Sequence, residues 1–158
     1  MSELTVREFR DGDEQAFLMM GRWLQENSHF KDCGFSVSKM LMIFANLVTK
    51  NPDYFGVIVE TEDGQPAGCM IANLQEYFFS REKIATDLSF GLLPEPEFRK
   101  QAGKIMPEIF ARYEAWARAS GAIEVAAGTS TGAHGNKLQA FLNSIGYQTV
   151  GFNTKKRI

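Results

Sequence analysis

The chain has little from which to build a metal centre, a disulfide framework or a membrane span. Two histidines and two cysteines are scattered through 158 residues, and no His/Cys/carboxylate group has metal-ligand spacing. Cys33 and Cys69 form no CxxC pair and read as free thiols of a reducing compartment, Cys69 being a small residue inside an apolar run. No apolar run is long enough to cross a bilayer. The N-terminus has no basic segment followed by an apolar one, so no secretory signal is expected and the compartment reads as cytoplasmic. Charge of one sign is also missing. With 17 basic and 19 acidic residues the formal net charge is -2, which argues against a nucleic-acid partner held on a broad basic surface. Lys155-Lys156-Arg157 is too short to alter this and reads as a solvated tail or an edge strand.

Linkers, repeats and low-complexity stretches are absent as well, so the chain reads as one domain over residues 1–158. What is present is a core. Hydrophobic residues make up 44% of the chain and include 13 Phe, ample for one buried centre without covalent staples.

The periodicity gives an element order. Leu4 to Phe9 alternates apolar and polar, as a half-buried strand does. Asp11-Gly12-Asp13 offers turn and N-cap chemistry, and Phe17, Met20, Trp23 and Leu24 then recur at helical spacing. Ser36 or Ser38 caps a second helix with the stripe Met40, Ile43, Phe44, Leu47 and Val48. Tyr54 to Glu60 and Pro66 to Phe79 read as a hairpin around the Glu62-Asp63-Gly64 turn. Ile84 to Leu93 is a further strand, ended by Pro94 and Pro96. A long amphipathic helix follows, with Ile105, Ile109, Phe110, Tyr113, Trp116 and Ala117 on its buried face. Ile123 to Ala127 is a short strand, residues 137–144 a last helix, and Tyr147 to Phe152 and Thr154 to Ile158 read as closing strands. The pattern β-α-α-β-β-β-α-β-α-β, with a final β, implies a mixed α/β sheet of about six or seven strands with helices on both faces.

The segment from Pro96 to Ile105 joins a strand end to a helix start. A helix N-terminus offers unpaired N–H groups and a partial positive charge. Arg99, Lys100 and Lys104 add cations, and Ala102 and Gly103 let an anion approach the backbone, so the segment reads as a phosphate site or as an ordinary basic loop. Pro107 is expected in the first turn of that helix, where its missing N–H has no partner to lose.

Together these residues resemble the GNAT superfamily of N-acetyltransferases. The resemblance lies in Pro96-Glu97-Phe98-Arg99, in Trp116-Ala117-Arg118 followed by Gly121-Ala122, and in Ile145-Gly146-Tyr147. Asp87-Leu88-Ser89-Phe90 and Ser130-Thr131-Gly132 look like a branch common in phage and bacterial genomes. It spans most of the chain and is carried by residues 85–152. The resemblance implies the GNAT fold with splayed central strands and acetyl-coenzyme A as co-substrate, without a metal. The acceptor would be an amine of a small molecule or protein, with no nucleic acid and no membrane involved, and a homodimer is within what the family does. It further implies that Leu92 and Leu93 lie along the pantetheine arm. The N–H groups of Gln101, Ala102, Gly103 and Lys104 would meet the pyrophosphate beside Arg99 and Lys100, with Asn136 near the coenzyme.

Two departures leave the chemistry open. One small residue of the family's glycine pattern is missing between Arg99 and Ile105, and Leu142 stands where many members carry the tyrosine that protonates the leaving thiolate. Direct transfer in a ternary complex still needs only a base, a polarised carbonyl and orientation. Asp87 is the leading base candidate, or else a structural carboxylate paired with Arg81 or Lys83. His134 is a second candidate for proton transfer. Glu76, Tyr77 and His29 are candidates to line the acceptor cleft. No nucleophile has a partnered base. The competing reading is a GNAT-fold protein that has lost catalysis and serves as a binding or assembly module.

Overall fold

The computed structural model of the chain describes residues 2–128, 135–151 and 154–157. Five strands form one mixed sheet: β1 (Leu4–Glu8), β2 (Tyr54–Thr61), β3 (Pro66–Glu76), β4 (Lys83–Leu92) and β5 (Ala122–Ala126), in that spatial order. The first four run antiparallel, each to the next, and β5 lies parallel to β4. The helices are α1 (Glu14–Glu26), α2 (Val37–Val48), α3 (Pro96–Lys100), α4 (Ala102–Ala119) and α5 (Gly135–Ser144).

Adjacent residues of β2 show how the layers are arranged, because successive side chains in a strand point to opposite faces. Phe55 packs on Tyr113 and Trp116 of α4, at ring separations of 5.8 and 5.5 Å. A Cβ at Gly56 would lie 2.7 Å from Leu47 of α2 and 3.1 Å from Phe9. So α4 covers one face, and α1 and α2 cover the other, where Phe9, Phe17 and Phe44 form a contiguous aromatic cluster.

The sheet is smaller than the sequence pattern implies. The expected closing strands are not strands in the described residues 147–151 and 154–157. Local partners take this segment instead: the Tyr147 N–H donates to the Leu142 carbonyl at 3.0 Å and Gln139 donates to the Thr149 hydroxyl at 2.8 Å. The chain thus folds back on α5, and Arg157 pairs with Asp32 at 2.7 Å rather than entering a ladder.

Two expectations about helix starts also need correction. Asp13 stands at the N-cap of α1 without capping it. Its carboxylate is engaged by the Arg7 guanidinium at 2.7 and 2.9 Å and by the Arg10 N–H at 2.9 Å. Pro107 lies inside α4, beyond its first turn, because the helix begins at Ala102 and an unforeseen short helix, α3, precedes it with Pro96 in its first turn.

Candidate active site

β4 has two unlike sides. Against β3 it stays in register from Lys83↔Glu76 to Leu92↔Gly68. Against β5 it is paired only from Lys83↔Ala122 to Thr86↔Ala126. The parting coincides with a bulge: Ala72 faces Asp87 and Ile71 faces Ser89, so Leu88 is the extra residue. A bulge bends its strand and increases the local twist. Beyond it, residues 87–92 present a main-chain edge that no strand occupies among the described residues.

Asp87 stands where the two strands separate. Its Oδ1 accepts the Gly128 N–H at 3.2 Å, just past the end of β5. Burial pushes its carboxyl up to about 6, against the opposing effect of the backbone hydrogen bonds from Gly128 and from its own N–H. No cation pairs with it among the described residues, so of the two sequence readings of Asp87 the structural pair with Arg81 or Lys83 does not form; Lys83 meets Asp53 instead at 3.4 Å.

Below the opening, Tyr113 is fully buried and donates its hydroxyl to the Ala126 carbonyl at 2.9 Å. Burial, and then the charge of Asp87, raise its hydroxyl well above the usual phenol range. Phe110 packs edge-on to Phe90 of β4, Phe141 of α5 and Tyr147, at 5.2, 5.4 and 5.7 Å. The sequence marks Tyr113 only as a buried helix residue. Its role in holding Ala126 was in principle detectable, because a buried tyrosine hydroxyl needs a partner. A cavity of about 890 Å³ runs beside β5, lined among others by Ala126, Ala127, Gly128, Leu142 and Tyr147.

The proposed anion loop is partly spent on its own backbone. The Gln101 N–H donates to Phe98 and the Lys104 N–H to Gln101, each at 3.0 Å. The loop is also laced to the N-terminus. Gln101 Oε1 accepts the Leu4 N–H and its Nε2 donates to the Ser2 carbonyl, both at 3.0 Å, while Lys104 pairs with Glu3. Arg99 and Lys100 are exposed. Neither side chain makes a hydrogen bond or ion pair among the described residues.

The remaining sequence candidates are dispersed. Leu92 is half-buried on the open strand, and Leu93 is buried with its N–H given to the Ala67 carbonyl at 2.8 Å. Glu76 and Tyr77 sit at the turn between β3 and β4, at the closed end of the β4–β5 pair. That is four residues from Asp87, about 13 Å along a strand. Both line a recess with Phe78, Phe79 and Arg81, and the Tyr77 hydroxyl donates to Glu124 at 3.1 Å. His29 is exposed against Phe30, at a ring separation of 5.5 Å. Asn136 is exposed in the first turn of α5, and His134 lies outside the described residues.

No family model matches the chain, and no curated protein matches it in sequence. Solved structures do match in three dimensions. A Trypanosoma brucei acetyltransferase superposes with a TM-score of 0.69 at 14% identity, over 99% of this chain and 100% of that one. Glucosamine-6-phosphate N-acetyltransferase from Arabidopsis thaliana gives 0.70 at 15%, over 98% of each chain. The aminoglycoside acetyltransferase AAC(6')-Iy, in complex with the bisubstrate analogue CoA-S-monomethyl-acetylneamine, gives 0.66 at 18%, over 99% of this chain and 100% of that one. The fold is the acetyltransferase fold.

Proposed function

We propose that the protein is an acetyl-CoA-dependent N-acetyltransferase that passes the acetyl group directly to the amine of a small molecule within a ternary complex. The observation that carries this reading is the one-sided opening of β4 at the Leu88 bulge, with Asp87 at its apex. An unpaired strand edge needs polar partners, and an extended amide-bearing arm such as pantetheine supplies them. Arg99, Lys100 and the first N–H groups of α4, at Ala102 and Gly103, would hold its pyrophosphate.

In this reading Asp87 is the base. A carboxyl raised to about 6 is ionised at neutral pH yet more basic than an ordinary carboxylate, which suits removal of a proton from the incoming amine. An N–H on the open edge polarises the thioester carbonyl. The structures that share the fold include enzymes named for aminoglycosides and for glucosamine 6-phosphate, which supports a small polar amine as acceptor. Thiol release from acetyl-CoA, followed over a panel of aminoglycosides and amino sugars, tests the reading. We expect release that depends on one amine class. Release no faster than in the absence of protein, over the whole panel, contradicts it.

The second reading, a binding or assembly module on the same fold, is favoured by Leu142 and by the loop amides already bonded within the chain. It predicts coenzyme binding without turnover.

A further inference from the structure

β1 lies at the edge of the sheet, where outward N–H and C=O groups face no strand among the described residues. One of them, the Leu4 N–H, donates to Gln101 Oε1. Next to it, the Ser2 carbonyl accepts from Gln101 Nε2, both at 3.0 Å. The carboxamide thus gives the edge one acceptor and one donor, as the peptide unit of a neighbouring strand would. These partners lie 97 and 99 positions away in the chain, so the contact is no local cap.

Gln101 is also the joint of the basic loop. It closes α3 and opens α4. Its N–H donates to the Phe98 carbonyl, and its own carbonyl accepts from the Lys104 and Ile105 N–H groups, each at 3.0 Å. Phe98 and Ile105 anchor the two helices in the core on either side. Between them, Ala102 and Gly103 carry no side chain able to hold the joint. Lys104 reaches the N-terminus through an exposed pair with Glu3, and such pairs contribute little. The two bonds of the Gln101 side chain therefore fix this turn against the sheet.

We propose that Gln101 is a positioning residue for the coenzyme, setting the first turn of α4 against β1 through its side chain. The inference rests on the coenzyme reading above. The family resemblance gives Gln101 a backbone N–H toward the pyrophosphate, but that N–H is given to Phe98. The residue acts through its carboxamide instead. N–H groups at a helix start hold an anion when they converge on it, and a site of this kind has to be held to within about 0.5 Å. A turn released from β1 keeps its N–H groups and loses their aim. Ser2 and Leu4 thus serve coenzyme binding through Gln101. Glu3 acts in the opposite sense, because its carboxylate occupies Lys104, a cation of the same loop.

Coenzyme A binding, followed by calorimetric titration at a temperature where the proteins are folded, tests the inference without an acceptor. Gln101→Met keeps the length of the side chain and loses both hydrogen bonds. It should weaken binding about tenfold, the equivalent of one or two such bonds. Deleting Ser2 and Glu3 removes the far end of the tie and should weaken binding several-fold. The two changes combined should bind no more weakly than Gln101→Met alone, because they cut the same tie. Glu3→Gln frees Lys104 and should bind at least as tightly as wild type. Wild-type affinity in Gln101→Met overturns the inference and leaves the coenzyme reading standing, whatever the variant's melting point. Losses that multiply in the combined variant also overturn it. So does a tenfold loss in Glu3→Gln, which would assign the effect to the ion pair. Should Gln101→Met not fold, the deletion decides: weaker binding supports the inference and unchanged binding overturns it. Failure of wild type to bind coenzyme A sinks both readings.

Discussion

β4 is the same strand on both sides, yet its two edges do different work. Toward β3 it is closed along its whole length, and the approach is so tight that a Cβ at Gly68 would lie 2.3 Å from the Gly91 carbonyl oxygen. Toward β5 it is closed only up to Thr86. The carboxylates of the two regions differ in the same way. At the far end of the sheet, Asp13 and Glu60 share the Arg7 guanidinium at 2.7 Å, and Arg7 holds the Asp13 carboxyl below the ordinary range. At the opening, Asp87 has no cation among the described residues and its carboxyl is held above that range. A paired carboxylate stabilises the fold. An unpaired buried one is a cost, and its position at the mouth of a cleft gives that cost a functional reason.

Asp87→Asn should separate the two regions most sharply. If Asp87 is the base, acetyl transfer falls by about 10²–10⁴-fold while the fold is preserved. The stability change has a defined sign. Because the folded-state value is raised to about 6, the native chain binds more protons than the unfolded chain between about pH 4 and 6. Wild-type stability therefore falls as pH rises through that window and carries the full penalty above it. The variant lacks the penalty and should be more stable by roughly 2–3 kcal/mol at pH 8, read from urea midpoints at pH 4 and pH 8. A variant less stable than wild type at pH 8 would break the comparison. On the closed side, Gly68→Val should cost about 3 kcal/mol, because the new side chain meets backbone rather than a movable side-chain end. Denaturant unfolding measures it, and a loss below about 1 kcal/mol would show that β3 and β4 can part as easily as β4 and β5. The smallest effect is expected for Arg7→Met, at about 2 kcal/mol, since the guanidinium and Glu60 are only partly buried although Asp13 is buried. Asp13 reverses the pH argument. Its folded value is depressed, so its contribution is present above the ordinary carboxylate range and is lost as pH falls below it. The variant should shed that acid-side loss and leave the Asp87 window unchanged.

Much of this architecture is legible in the sequence because its elements are specified locally. Alternation from Leu4, the helical stripes before Leu24 and Val48, and the turn at Gly64 locate β1, α1, α2, β2 and β3 to within a few residues. The failures occur where a distant partner decides. Asp13 has N-cap chemistry, but Arg7 takes its carboxylate. Residues 147–151 have strand composition, but Leu142 and Gln139 bind them first. At the site, Asp87 stands out because it is a carboxylate in an apolar strand. The splay itself coincides with one unpaired residue, Leu88, which no periodicity reveals. Tyr147 was legible only as the start of an expected closing strand and as part of the Ile145-Gly146-Tyr147 resemblance; its hydroxyl's lack of a partner among the described residues becomes visible only once its surroundings are known. The basic loop shows the same limit: its charges can be read from Arg99 to Lys104, but the ties from Gln101 to Leu4 and Ser2 cross most of the chain.

The central claim is that the open side of β4 is kept for acetyl-coenzyme A, and the most direct measurement is the melting temperature of the wild-type chain with and without millimolar acetyl-CoA. A ligand that binds only the folded chain stabilises it by RT ln(1 + [L]/Kd), about 2.7 kcal/mol at a hundredfold excess over Kd. For a chain of this size that raises the midpoint by roughly 5–10 °C. The account predicts such a rise with acetyl-CoA and none with adenosine alone. An unchanged midpoint at millimolar acetyl-CoA would contradict it.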